Sequence, residues 1–421
     1  MMSNWSKFGE RYTRPTGALE LMEDLGAAMD GDSSTLLLGG GNPGNIPEIR
    51  SLFGQQLAEI AVSDEGFGRL VGNYADPKGE RRFRSCLADL LGQEYGWQVT
   101  AENITLTAGS QAGFFLLFNL LAGQFSDGSR RRILLPVTPE YIGYTDVGLE
   151  EDHFVAQLPI VEELPDNYFK YRVNFDGLTI TEDIAAICVS RPTNPTGNVI
   201  TDNELHKLDR MASAAGVPFI LDSAYGLPFP GIVFTEATPL WNDNVILCLS
   251  LSKLGLPGVR TGIIIASEEI IAALTRMTAV LSLAVGSVGP VLTEKFLLSG
   301  EILSLSKDFI TPFYCKKAMV ACEQLQQELD GINYKIHVPE GAFFLWLWLP
   351  GLPIRSAELY ERLKKNGVLV VSGHHFFPGV QEDWPHRDEC LRISYAQNDE
   401  IVSKGIRILA DEIKELYAVR G

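Results

Sequence analysis

The chain has 421 residues, 46 % of them hydrophobic and 21 % charged, with a formal net charge of −18. That length exceeds what one hydrophobic core normally fills, so two domains are expected, and no apolar run reaches the roughly 18 residues of a membrane span. The acidic field works against nucleic acid and anionic lipid as partners, while leaving room for one local pocket made positive by arginine and lysine.

The opening string "MMSNWSKFGERYTRPTG" has no apolar core followed by a small-residue cleavage site, which makes the cytoplasm the expected location. From about residue 100 to residue 290, β-branched apolar runs alternate with helical patterns, as in a parallel sheet covered by helices. Strands are expected at "NITLT", "RRILLPV", "AAICVS", "VPFILD", "VILCLS" and "TGIIIA". Thr201 and Glu204 form a capping box, after which Leu205, Leu208, Met211, Ala212 and Ala215 recur at helical spacing up to Gly216, predicting a crossover helix. Beyond residue 300 the pattern changes to a long helical stretch over 304–331, then "YKIHV", "FFLWLWL", a helix around Leu359 to Lys365, "VLVV", "LRISYA" and a final amphipathic helix. That mix predicts a smaller α+β domain, with a boundary near residue 295. The six cysteines form no CxxC pair and sit mostly in apolar strings, so they read as buried thiols.

Ligands of open α/β sheets bind at the carboxyl ends of strands, so the polar residues just after each strand carry the functional signal. After "NITLTA" come Gly109, Ser110 and Gln111, a small-residue turn whose free backbone N–H groups suit an anion. After "AAICVS", Asn194 stands between two prolines and ahead of Gly197, a turn that fixes its amide. Asp222 ends "VPFILD" with Tyr225 close behind, and a carboxylate at the end of a buried strand needs a cationic partner. Lys253 follows "NVILCLS" between Ser250, Ser252 and an uncharged turn, with Arg260 seven residues on. Burial there makes an amine nucleophilic, and two hydroxyls plus a guanidinium suit a phosphate. A lysine able to form a Schiff base beside a phosphate site is what pyridoxal phosphate requires. His374 and His375, read as neighbours on a strand, point to opposite faces, so no metal is expected there; their loop is expected to form part of the substrate-pocket wall.

The ordered set Gly109-Ser110-Gln111, Tyr141, "NPTGN", Asp222 with Tyr225, "SLSK", Arg260 and Arg392 resembles the fold type I pyridoxal phosphate aminotransferases of class I/II over nearly the whole chain. The resemblance implies an α/β fold in which a large cofactor domain, residues 50–295, has a mixed, mostly parallel sheet sandwiched by helices. Residues 1–49 and 296–421 would form the smaller α+β domain. It implies that Tyr141 stacks on the cofactor ring, that Asn194 and Tyr225 bond its phenolic oxygen, and that Asp222 pairs with its ring nitrogen. Ser110, Gln111, Ser250, Ser252 and Arg260 would hold the phosphate, with Tyr74 reaching the cofactor of the neighbouring subunit in a homodimer. Arg392 would clamp the substrate carboxylate, helped by Asn194 and by backbone of Gly40 or Gly41. The seven-residue interval from Lys253 to Arg260 is one shorter than in many relatives of the aspartate type and is similar to the aminoadipate branch, which leaves the aim of Arg260 open. The strings "LGGGNP", "VTPEYIGY", "SRPTNPTGNVITD" and "SLSKLGLPG" extend the resemblance and imply ping-pong exchange of an amino group between L-valine and pyruvate through pyridoxamine phosphate. An aminotransferase of other specificity, or a carbon–sulfur lyase on the same fold, is the alternative.

Overall fold

The computed structural model of the protein describes residues 5–17, 19, 22–24, 26 and 35–418. Sixteen strands follow in chain order, beginning with β1 (Leu36–Leu37), β2 (Ile104–Thr107), β3 (Gly123–Gln124), β4 (Arg130–Leu135) and β5 (Phe154–Ala156). Next come β6 (Ile160–Glu163), β7 (Tyr168–Arg172), β8 (Ile184–Ser190), β9 (Phe219–Asp222), β10 (Val245–Ser250) and β11 (Gly262–Ile265). The last five are β12 (Lys335–His337), β13 (Phe344–Trp348), β14 (Val368–Leu369), β15 (Val371–Ser372) and β16 (Cys390–Ser394).

The larger sheet has eight strands along the path β2-β11-β10-β9-β8-β4-β3, with β5 also on β4. Strands β10, β9, β8, β4 and β5 are mutually parallel, and β11 runs antiparallel between β10 and β2. Its central strands are apolar throughout because both faces are covered. Along β9 and β10 the side chains alternate between two separate cores: Phe219, Leu221, Val245, Leu247 and Leu249 face one, and Ile220, Ile246 and Cys248 face the other. Helices α1 (Ser110–Leu121) and α3 (Glu268–Ser282) supply Phe114, Ile271 and Leu274 to the second core, while α2 (Asp202–Ala215) supplies Leu205 and Leu208 to the first.

The predicted crossover helix is α2. Thr201 accepts from the Glu204 N–H at 3.2 Å, the Glu204 carboxylate accepts from the Thr201 N–H at 2.8 Å, and the helix stops at Gly216. The long stretch after residue 300 is interrupted: a π turn at Ser306–Ile310 precedes α4 (Thr311–Glu328), just before Pro312, which has no N–H to extend the α ladder backwards.

The smaller sheet has the order β15-β16-β13-β12-β7-β6 and includes two strands, β6 and β7, from residues 160–172 in the middle of the chain. The run "VLVV" serves two sheets, with β14 pairing in parallel with β1 and β15 pairing against β16. Helix α5 (Asp399–Ala418) packs beside α4 and β1. Four of the six cysteines are buried and all are unpaired, whereas Cys86 and Cys315 are half-exposed. Among the described residues no helix is long and apolar enough to cross a membrane.

Residues 373–376, expected to continue a strand through the paired histidines, form a 3-10 turn instead. Strand β15 ends at Ser372, and the turn brings the His374 and His375 rings to 3.8 Å centroid separation rather than to opposite faces.

Candidate active site

Strand β2 delivers the chain to Gly109, whose φ of 87° lies where a side chain is strained, and whose Cβ, were one present, would come within 2.2 Å of Arg260 Nη2. The glycine therefore lets backbone and guanidinium meet. It precedes α1 without any side-chain cap, so the first N–H groups of that helix face the same space. Ser110 Oγ is buried there without a hydrogen-bond partner. Ser250, at the end of β10, accepts from the Ser252 N–H at 3.1 Å, and both serines line the cavity with Ser110 and Arg260. An orphaned hydroxyl, free helical N–H groups and a guanidinium that the absent Cβ of Gly109 lets close in make a donor set that fits a phosphate dianion.

Lys253 is half-buried and lines the same cavity. Its ammonium donates to the Gly41 carbonyl at 2.6 Å and stands 5.1 Å from the centre of the Tyr225 ring and 5.4 Å from that of Phe343. Burial, reinforced by Arg392 and Arg260 and opposed by Asp222, lowers its pKa to about 7, so a neutral amine is available near neutrality.

Asp222 ends β9, and its oxygens accept from Tyr144 Oη at 2.6 Å and from the Ala224 N–H at 2.9 Å. Burial pushes its pKa up to about 6, against the pull of those two hydrogen bonds and of Lys253. Both direct partners are neutral, and a protonated ring nitrogen is the kind of group that such a carboxylate would stabilise.

Arg392 stands in β16, every residue of which is buried, rather than on a half-exposed strand. Nη1 donates to Asn194 Oδ1 at 2.7 Å, Nη2 donates to the Gly39 carbonyl at 2.6 Å, and Nε has no partner. The Phe344 and Phe376 rings flank the guanidinium, with centres 4.3 and 5.1 Å away. Burial lowers its pKa to about 10, which leaves it cationic at neutral pH. A dry cation held by neutral carbonyls, with one donor free, is a receptor for a carboxylate.

Of the residues anticipated from sequence, Ser110, Gln111, Tyr141, Asn194, Asp222, Tyr225, Ser250, Ser252, Lys253, Arg260, Arg392 and Gly41 line one cavity. Gln111 also donates to the Gly143 carbonyl at 2.7 Å, bracing the turn that carries Tyr141. The backbone partner of Arg392 is Gly39, while Gly41 serves Lys253 and Gly40 makes neither contact. Tyr74 is 89 % exposed and lies outside this cavity. Neither His374 nor His375 lines it, although Phe376 of the same loop packs beside Arg392.

Contributors not anticipated include Tyr144, which bonds Asp222 from behind the cavity wall, and Met22, Phe114 and Ile142, which line it. Tyr144 follows Tyr141 by three residues in "EYIGY", and that spacing on a turn was the available signal. Met22 comes from a segment with no motif to mark it.

The family model for aminotransferase class I and II matches residues 55–409. The chain is 48 % identical over 414 residues to the valine–pyruvate aminotransferase of Escherichia coli (strain K12), covering 98 % of this chain and 99 % of that one. The crystal structure of valine–pyruvate aminotransferase from Salmonella typhimurium LT2 superposes with a TM-score of 0.88 at 46 % identity, over 95 % of this chain and 99 % of that one. The α-aminoadipate aminotransferase of Thermus thermophilus, complexed with N-(5′-phosphopyridoxyl)-L-leucine, has a TM-score of 0.78 at 22 % identity and shares the fold, over 99 % of this chain and 98 % of that one.

Proposed function

The chain belongs to the class I and II aminotransferases, and from that premise we propose that it exchanges the amino group between L-valine and pyruvate, giving 3-methyl-2-oxobutanoate and L-alanine. The observation that carries the reaction type is the pairing, in one cavity, of a depressed amine on Lys253 with a buried Arg392 whose Nε is free. The substrate pair is supported by the relative of that activity at 48 % identity. Met22, Phe114, Ile142, Pro192 and Ala224 add apolar wall suited to a small branched side chain. Such walls separate neighbouring side chains by only about 1–3 kcal/mol per methylene, so alanine, valine and 2-aminobutyrate should all be accepted.

Pyridoxal 5′-phosphate, when bound, supplies the carbonyl that takes up the amino group and the ring that spreads the electron pair left at the substrate α-carbon. The remaining work falls to the chain. Arg392 and Asn194 fix the substrate carboxylate, which orients the α-carbon. Nζ of Lys253 takes the α-proton of the amino donor and, in the opposite half-reaction, delivers one to the α-carbon of the acceptor. Asp222, held by Tyr144, keeps a proton on the ring nitrogen. Ser110, Ser250, Ser252 and Arg260 would hold the phosphate, and Tyr141, Asn194 and Tyr225 would hold the ring. Both acids use the same carboxylate site in turn, which makes the kinetics ping-pong.

The reading includes a cytoplasmic homodimer with sites at the subunit interface. Six unpaired thiols favour a reducing compartment. Tyr74, Val280 and Leu283 are 89, 86 and 68 % exposed, apolar surface that a second copy would remove from water. The test is the visible absorption spectrum of purified holoenzyme, before and after L-valine and then pyruvate. Loss of the cofactor band with valine and its return with pyruvate is expected. A band unmoved by valine would point to another amino donor, and turnover without a 2-oxo acid would point to a lyase.

A further inference from the structure

Lys170 lies on β7 and is 4 % exposed, outside the cavity described above. Its ammonium pairs with Glu340, in the turn before β13, and donates to the Val199 carbonyl at 3.0 Å. The Glu340 carboxylate in turn accepts from the Val199 N–H at 2.9 Å. One buried ion pair thus grips both backbone polar groups of a single loop residue. Burial lowers the Lys170 pKa and Glu340 opposes that shift, so the pair stands at a desolvation cost.

Val199 closes the turn that carries Asn194, and the turn is tightly bonded within itself. Thr193 N–H donates to the Asn198 carbonyl and Gly197 N–H to the Thr193 carbonyl, each at 2.8 Å. The loop is also pressed against the turn that follows Glu340. A Cβ on Gly197, where φ is 72°, would lie 2.6 Å from the Gly341 carbonyl oxygen, and one on Gly341 would lie 2.4 Å from Pro192 Cγ. Asn194 follows β8 of the larger sheet, whereas Arg392 and Lys170 both stand in the smaller sheet. The Asn194–Arg392 hydrogen bond therefore crosses between the two sheets, and the ion pair holds the loop to the sheet that carries the arginine.

We propose that Lys170 and Glu340 are positioning residues that hold Asn194 in register with Arg392 and thereby set the affinity of the site for amino and 2-oxo acids. The proposal rests on the carboxylate-binding role given to Arg392 above. A pair serving stability alone would be expected to leave substrate affinity untouched when removed without loss of fold. A positioning pair loosens the carboxylate site and spares the phosphate cup formed by Ser110, Ser250, Ser252 and Arg260.

The test compares holoenzyme with Lys170→Met and with the double variant Lys170→Met/Glu340→Gln, which leaves no lone buried charge and keeps an acceptor for Val199. KM for L-valine and for pyruvate should rise about tenfold in both variants, with kcat within about threefold and cofactor retention on dialysis falling far less than tenfold, because Lys253 and the phosphate cup still hold the cofactor when Asn194 shifts. Unchanged KM in a folded, cofactor-loaded double variant would overturn the proposal. So would a fall of kcat and of cofactor retention as large as the rise in KM, the mark of general loosening. Spectral titration of each protein with pyruvate reads carboxylate affinity without turnover: weakened binding supports the proposal and equal binding overturns it. A parent enzyme with no valine–pyruvate turnover would count against the functional reading alone.

Discussion

Two buried polar clusters, one within the smaller sheet and one between the two sheets, differ in how completely they are paired. In the smaller sheet, Tyr171 Oη shares a hydrogen bond with His386 Nε2 at 2.5 Å and accepts from Trp346 Nε1 at 2.9 Å. His337 meets the Val338 carbonyl at 2.8 Å through Nδ1 and accepts from the Tyr171 N–H at 3.3 Å through Nε2. Trp384 stacks on His386 with ring centres 4.4 Å apart. Around Lys253, by contrast, Arg392 Nε and Ser110 Oγ have no partner and Asp222 has only neutral ones. Burial and aromatic lining are common to both. What separates them is unmet hydrogen-bonding capacity, which is costly unless something arrives to use it.

The comparison breaks most sharply at Lys253. Lys253→Ala should lower turnover by about 10⁴-fold in a steady-state assay while leaving slow, noncovalent cofactor retention, and undiminished turnover would show that the unpaired cluster is not the reacting one. The paired cluster should answer to acid instead. Burial holds His337 and His386 at about 3, well below the ordinary value of 6.5. The unfolded chain takes up protons on both below pH 6.5 and the folded protein does so only near pH 3. Their contribution to stability is therefore complete above pH 6.5 and is lost as pH falls toward 3. A thermal unfolding midpoint that stayed flat across that window would contradict the neutral, paired state of these rings. The smallest effect sharpens the contrast. Tyr171→Phe strands His386 Nε2 and Trp346 Nε1 and should cost about 1–3 kcal/mol in denaturant unfolding, with KM for valine unchanged.

How much of this was legible depended on whether a residue acts through its neighbours in sequence or across the fold. Six strands of the larger sheet, β2, β4, β8, β9, β10 and β11, were plain because covered faces leave apolar runs such as Val245–Ser250, whereas the short, partly exposed β3 and β5 were not. Helix α2 announced itself through its cap. Lys253, Asp222, Asn194 and Ser110 stood out because strand ends concentrate polar groups where chain direction alone places them. Strands β6 and β7 were missed: "IVEE" and "YFKYR" mix charge with apolar residues, and they pair outside the sheet that surrounds them in sequence. The histidine turn was misread as strand because a local apolar run says nothing of where its neighbour ends. Gly39 as the carbonyl for Arg392, Tyr144 as the prop of Asp222, and the Lys170–Glu340 grip on Val199 depend on contacts between distant segments, which periodicity does not encode.

The strip Gly39 to Gly41 supplies one carbonyl to Arg392 and another to Lys253, two of the three cations that line the cavity. A ligand that engages Lys253, or Arg392 through Nη2, competes with that strip for its donor. Two occupants thus draw on one short piece of backbone, and each lowers the cost of displacing it for the other. Linkage makes that coupling reciprocal: whatever factor substrate adds to the hold on cofactor, cofactor adds to the hold on substrate.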